Sequence, residues 1–331
     1  MPYVQTVLGP VDPDRLGRVL SHEHLLALAP GPGLAQDPVE LAVAALGGLA
    51  AYGVDTVVDL SPYGDAGRDP GGANVVLLQE IARRSGVHII AGTATYRAEF
   101  SPPWVRAATG EELTRRFVAD AQTGIGSTEV RAGILGEQPT GLDTVSTHEE
   151  TGLRAAALAH HATGLALNTH TTHGTMALEQ LAILDQEDVA RERVVIGHLD
   201  NHPELDYVRR VLDTGVTIAF DSIGKQDWDL RTPPPTEPRP NGEYAKRALH
   251  QSDLTRAHRL ARLVADGYAE QIVLSQDLTG GQMYLNPTTH GRWGYAYLPT
   301  VFLGLLTELG VGEQQIETMM RTNPVRLLTL D

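Results

Sequence analysis

Eight short runs rich in β-branched residues recur along this chain, each followed by enough residues for a helix, and that alternation restricts the fold more than any other feature. The runs are R-V-L-S-H (18–22), V-D-T-V-V-D (54–59), V-H-I-I-A-G-T (87–93), A-G-I-L-G-E (132–137), L-A-L-N-T-H (165–170), V-V-I-G-H (194–198), V-T-I-A-F-D (216–221) and I-V-L-S-Q-D (272–277). Alternating strand and helix patterns specify parallel strands joined by crossovers. Eight strands with eight crossovers predict a (β/α)8 TIM barrel rather than an open doubly wound sheet, and no Gly-rich dinucleotide fingerprint follows the first run. Helix starts are legible at Asp37-Pro38, at Thr109 before G-E-E, and in S-T-H-E-E at 146–150. Ahead of the first run, V-Q-T-V-L-G-P-V-D-P reads as a short N-terminal hairpin covering the barrel bottom.

The 331 residues suit one barrel with insertions, and no linker, repeat or low-complexity tract divides them, so 1–331 is expected to be a single domain. The compositional exception is T-P-P-P-T-E-P-R-P-N-G (232–242), inside a long connection from about Gly224 to Ser252. Its five prolines stiffen a segment that follows the seventh strand, and it reads as a lid or substrate wall. With no cysteine, disulfides and thiolate chemistry are excluded, and His, Asp, Glu and Lys remain as ligands. A net charge of -15 without a basic cluster speaks against nucleic acid or an anionic membrane as partner. No signal peptide or bilayer-length apolar segment is visible, and a cytoplasmic protein acting on a small molecule is expected.

In L-S-H-E-H-L-L (20–26), His22 and His24 are two residues apart and share a face if the segment is extended. Other runs also end on groups that bind metals: Glu137 on the fourth, His170 on the fifth, His198 on the sixth and Asp277 on the eighth. In a barrel the C-terminal strand ends meet around one mouth, where active sites of this architecture lie. Four imidazoles and two carboxylates there predict a metal centre. An all-N/O set suits Zn, Mn, Co, Ni or Fe, and ligand type alone does not choose among them; zinc is the expected metal.

The chain resembles the phosphotriesterase family of the amidohydrolase superfamily along nearly its whole length. The resemblance is carried by V-L-G-P-V-D-P, L-S-H-E-H-L, G-T-A-T-Y, A-G-I-L-G-E, L-N-T-H-T-T-H-G-T-M-A-L-E-Q-L, V-V-I-G-H-L-D, F-D-S-I-G-K, L-S-Q-D, G-Y-A-Y-L and N-P-V-R-L-L. It implies a hydrolase with two divalent ions: His22, His24 and Asp277 on the more buried ion, His170 and His198 on the more exposed one, and an anion from the fourth strand bridging both. The best-known members carry a carboxylated lysine at that bridge. Here the matching residue is Glu137, which supplies the anion without carbon dioxide. Asp277 is then also the expected catalytic base.

Tyr96 matches the tyrosine that lines the lactone pocket in similar lactonases. Ser222 stands where those lactonases have an arginine, and Asn201 where phosphotriesterases have a second acid. Arg97 and Lys225 are candidate anion clamps, Trp293 a candidate pocket wall, and His173 and His202 either substrate contacts or helix caps. His160-His161 lies mid-helix and reads as structural. The expected reaction is hydrolysis of a carboxylic ester or lactone, with amide hydrolysis as the alternative, an inactive metal-binding barrel as the reading from another class, and a homodimer allowed.

Overall fold

A computed structural model describes residues 1–26, 37–64, 67–225, 228–231, 249–279 and 294–331. The N-terminal segment forms the expected hairpin, with β1 (Val4–Thr6) antiparallel to β2 (Gly9–Val11). The amide of Val7 donates to the carbonyl of Ile89 at 2.8 Å, attaching the hairpin near the start of a barrel strand and therefore at the barrel bottom.

The eight predicted strands are all present and parallel. They are β3 (Arg18–Glu23), β4 (Val54–Asp59), β5 (His88–Thr93), β6 (Ile134–Thr140), β7 (Leu167–Thr171), β8 (Val194–Gly197), β9 (Thr217–Phe220) and β12 (Ile272–Leu274). Each pairs with the next in chain order to form one eight-stranded sheet. Near the mouth, the amide of Asp277 donates to the carbonyl of His22 and that of His24 to the carbonyl of Leu278, both at 3.0 Å, bringing the last strand back to the first. The strands β10 (Leu230–Arg231) and β11 (Leu249–His250) form a two-stranded antiparallel pair after β9. The proline-rich stretch 232–242, expected to act as a lid, lies outside the described residues.

All three legible helix starts are realised. Asp37 caps α1 (Pro38–Leu46) by accepting from the amide of Val39, while α2 (Ala73–Ser85) and the short α3 (Pro103–Ala107) come next. Thr109 with Glu112 and Ser146 with Glu149 form reciprocal caps on α4 (Gly110–Gln122) and α5 (Thr147–Thr163). The remaining outer helices include α6 (Ala177–Gln186), α7 (Leu205–Leu212) and α8 (Asp253–Ala265).

Side chains alternate across the strands as a barrel requires. Val19, Val58, Ile90 and Ile134 pack together inside, as do Ala166, Val195, Ala219 and Val273. Their neighbours Leu20, Val57, Ile89, Leu135, Leu167, Ile196, Ile218 and Leu274 belong to the layer beneath the helices. Strict alternation from Leu20 would turn His22 and His24 outward, and from Leu135 it would turn Glu137 outward. Two bulges prevent this. Leu20 pairs with Val57 but Glu23 with Asp59, three steps along β3 against two along β4. Leu135 pairs with Leu167 but Gln138 with Thr169, the same one-residue excess in β6. Each extra residue reverses the facing of the side chains beyond it, so the three ligand-type side chains point inward.

Several strand boundaries shift from the sequence reading, and two of the shifts relocate carboxylates of the site. The run 132–137 becomes Ile134–Thr140, so Glu137 lies inside its strand at the bulge and not at its end. The run 272–277 stops at Leu274, so Asp277 lies three residues past the strand. The β6 bulge also needs glycine: a Cβ on Gly136 would lie 2.7 Å from the Cβ of Asn168 and 2.9 Å from its carbonyl oxygen. Gly136→Ala is therefore expected to cost about 1–3 kcal/mol, the range for overpacking a filled interior. Denaturant unfolding checks this; a change within about 0.5 kcal/mol contradicts the close approach.

Candidate metal centre

The six residues expected at the mouth converge. His22, His24 and Glu137 arrive through the two bulges, and His170 lies on β7 at an inward position shared in parity with Ala166. His198 and Asp277 lie just past their strands and are left-handed, with φ of 58° and 48°. That region is uncommon for residues other than glycine but is enriched in His, Asn and Asp. At His198, whose strand parity points outward, the turn brings the imidazole back to the axis.

Glu137 is the hub. Its Oε1 lies 3.3 Å from His24 Nε2, while its Oε2 lies 2.8 Å from His170 Nδ1, 3.4 Å from His198 Nε2 and 3.5 Å from His22 Nε2. Asp277 Oδ1 closes one side, 3.0 Å from His24 Nε2 and 3.7 Å from His22 Nε2. Two donors each about 2.1 Å from one tetrahedral ion sit about 3.4 Å apart, and these separations bracket that value. His22 Nε2 is buried without a hydrogen-bond partner and aims between the two carboxylates. A buried orphan nitrogen is costly unless something else satisfies it, and a cation does. Three overlapping groups, His22–His198–Asp277, His22–His24–Glu137 and Glu137–His170–His198, each gather ligand atoms within 4.8 Å. The cluster is able to bind metal.

Its electrostatics fit the same occupant. Burial pushes the His22 and His24 imidazoles down, but the carboxylates around them outweigh it and raise them to about 9 and about 10. His198 is likewise driven well up against burial, chiefly by Asp221. His170 is lowered to about 4 by burial and by the neighbouring His198. Burial would raise Glu137 and Asp277, yet His170 and His22 hold the first well below the carboxylate range and Lys225 and His24 depress the second. Without metal, protons on three imidazoles balance these anions.

Asp221, absent from the expected site, holds two of the ligands. Fully buried, it places Oδ2 2.8 Å from His22 Nδ1 and Oδ1 2.8 Å from His198 Nδ1, leaving each Nε2 directed at the cluster. Its signal was its place in F-D-S-I-G-K at the end of the seventh run, where, like Asp59 at the end of the second, it was a carboxylate left without a role. His24 Nδ1 faces Ser61 Oγ at 3.3 Å.

The expected substrate residues are placed unequally. The Tyr96 ring stands edge-on to His170 with centroids 5.3 Å apart. Arg97 is buried beside it, its guanidinium 5.2 Å from the Phe100 ring centre and Nη1 3.4 Å from Thr172 Oγ1. Lys225 reaches the cluster, but its ammonium donates to Asp277 Oδ2. Trp293 lies outside the described residues. His202 stacks on Tyr207 and accepts from the amide of Glu204, the residue just ahead of α7. The His173 ring lies 6.0 Å from that of His250. Asp200 is bound by Arg256 Nε at 2.7 Å, and Asn201 donates to Ser222. His160 and His161 bond to the carbonyls of Leu165 and Glu187.

Comparison with known proteins agrees with this geometry. A sequence model of the Phosphotriesterase family matches residues 2–328. The phosphotriesterase homology protein of Escherichia coli is 32% identical over 253 residues, 76% of this chain and 78% of that protein. Its crystal structure, with phosphate in the active site, superposes with a TM-score of 0.79 at 30% identity, covering 96% of this chain and all of that one. The N-acetyltaurine hydrolase of Salmo salar is 28% identical over 98% of this chain and 97% of its own. A structure described as organophosphate hydrolysis engineered from a weak promiscuous lactonase template matches at TM-score 0.82 and 25% identity, covering 98% and 99%.

Metal loading should release protons. At pH 7 His22 and His24, at about 9 and about 10, are protonated in the metal-free protein, and metal-bound imidazole is neutral. Affinity should therefore rise with pH until about 10. Calorimetric titration in buffers of different ionisation enthalpy measures the protons released; none released at pH 7 contradicts the assignment.

Proposed function

Because this chain belongs to the phosphotriesterase family and is thereby a metal-dependent hydrolase, we propose that it uses two divalent ions to hydrolyse a carboxylic ester or lactone. The observation that carries the reading is Glu137, whose two oxygens lie within 3.5 Å of nitrogens from all four histidines. His22, His24 and Asp277 would hold the deeper ion and His170 and His198 the other, with Glu137 offering an oxygen to each. As a native carboxylate it needs no carbon dioxide. Zinc is the expected metal, with Mn, Co, Ni or Fe as competitors. Bound there, two such ions supply an activated water near neutral pH and polarise the substrate carbonyl.

The chain's own groups handle the rest. Asp277 accepts the attacking water's proton and passes it to the leaving group. The Lys225 ammonium on Oδ2 keeps that carboxylate ionised. Asp221 holds His22 and His198 in their ligating tautomer. Tyr96 and Arg97, beside His170, shape the substrate side of the exposed ion. The Salmo salar relative, named for N-acetyltaurine hydrolysis, favours a second reading in which the scissile bond is an amide.

Zinc-loaded protein assayed against a panel of lactones, aryl esters and N-acyl amino compounds separates the two readings: faster turnover of lactones supports the first, and of N-acyl compounds the second. Asp277→Asn keeps the size and one ligating oxygen but cannot accept a proton, and turnover should fall by about 100- to 10,000-fold. The loss should be greatest for poor leaving groups. Wild-type rates in that variant, or full activity after chelation removes all metal, contradict the reading.

A further inference from the structure

Glu23 lies between the two histidines of L-S-H-E-H-L-L and is completely buried. The β3 bulge that turns His22 and His24 inward turns Glu23 into the barrel wall, toward the returning last strand. There its carboxylate accepts three hydrogen bonds: Oε1 from Ser275 Oγ at 2.7 Å and from the Gln276 amide at 2.9 Å, and Oε2 from the Leu278 amide at 2.8 Å. The three donors straddle Asp277.

Three backbone bonds of 3.0 Å also hold that segment: the Asp277 amide on the His22 carbonyl, the His24 amide on the Leu278 carbonyl, and the Ser275 amide on the Phe220 carbonyl. The β12 ladder ends at Leu274, and Asp277 is left-handed with φ 48°. A residue in that conformation persists where its surroundings over-determine it. Ser275 extends the connection, since its hydroxyl also accepts from the His22 amide at 2.9 Å while donating to Glu23. One carboxylate thus ties the backbone around Asp277 to the strand that carries His22 and His24. We infer that Glu23 is a positioning residue that sets the place of Asp277 against the two histidines through Ser275, Gln276 and Leu278. This rests on the reading of Asp277 as a metal ligand. The acid between the histidines is therefore more than a spacer, because a residue without two acceptor oxygens leaves buried amides unpaired at the point where the ligand must be held.

Glu23→Gln preserves shape but turns an NH2 group toward donors. The test is a double-mutant cycle of Glu23→Gln and Asp277→Ala, which removes the ligating oxygens, with zinc as the probe and affinity read by competition with a chromophoric chelator. In the wild-type background Glu23→Gln should weaken zinc binding by about 10- to 100-fold, the range for groups that orient ligands, with an unchanged circular dichroism spectrum. In the Asp277→Ala background it should add less than about 3-fold, because its effect passes through the Asp277 side chain. Ser275→Ala, which removes one of the three donors, should lose affinity in the same direction by a smaller factor, and decides the matter if Glu23→Gln does not fold. Wild-type zinc affinity in Glu23→Gln, or equal loss in both backgrounds, overturns the inference and leaves the ligand assignment standing. Wild-type affinity in Asp277→Ala overturns the assignment itself, and this inference with it.

Discussion

A carboxylate placed in the middle of a barrel with four imidazoles around it is the constraint on which the rest of this structure depends. Glu137 is 3% exposed, and an isolated buried carboxylate would be strongly disfavoured. Its neighbours reverse that balance: His170, His22 and His198 hold it well below the ordinary carboxylate range. Remove the positive charge, whether carried by protons or metal, and the interior of the mouth becomes untenable. The site is thus built to hold cations, and the family membership supplies the chemistry for which they are held.

The strands must satisfy two demands that ordinary alternation cannot meet together. Below the mouth they fill the barrel with Val19, Val58, Ile90 and Ile134, while the opposite faces bury Leu20, Val57, Ile89 and Leu135 under the helices. Continuing that pattern would place the first three ligands in the wall. One extra residue in β3 and one in β6 reconcile packing with function, and a left-handed turn at His198 does the same beyond β8. These irregularities lie where the chemistry is, while one further register shift, between Arg18 and Val19, lies at the start of β3.

Much of this was legible in the sequence, for physical reasons. The eight runs announce themselves by β-branched residues and turn signals, which are local, and the helix starts by caps that reach only three residues. The six ligand-type residues stood out because a barrel gathers its strand ends. The features that stayed hidden depend on pairing between distant segments. The bulges exist only in the register of β3 on β4 and β6 on β7, and so moved Glu137 from the expected strand end into the strand. Asp221 gained its role only once His22 and His198 were seen to share it, and Lys225, read as an anion clamp, is engaged by Asp277.

The central claim is that one carboxylate spans two ions, and diffraction from zinc-loaded crystals on either side of the zinc absorption edge tests it most directly. The account predicts two anomalous peaks about 3.5–4 Å apart, one against His22, His24 and Asp277, the other against His170 and His198, with Glu137 between them. A single peak at full loading, or two peaks of which one does not touch Glu137, would contradict it.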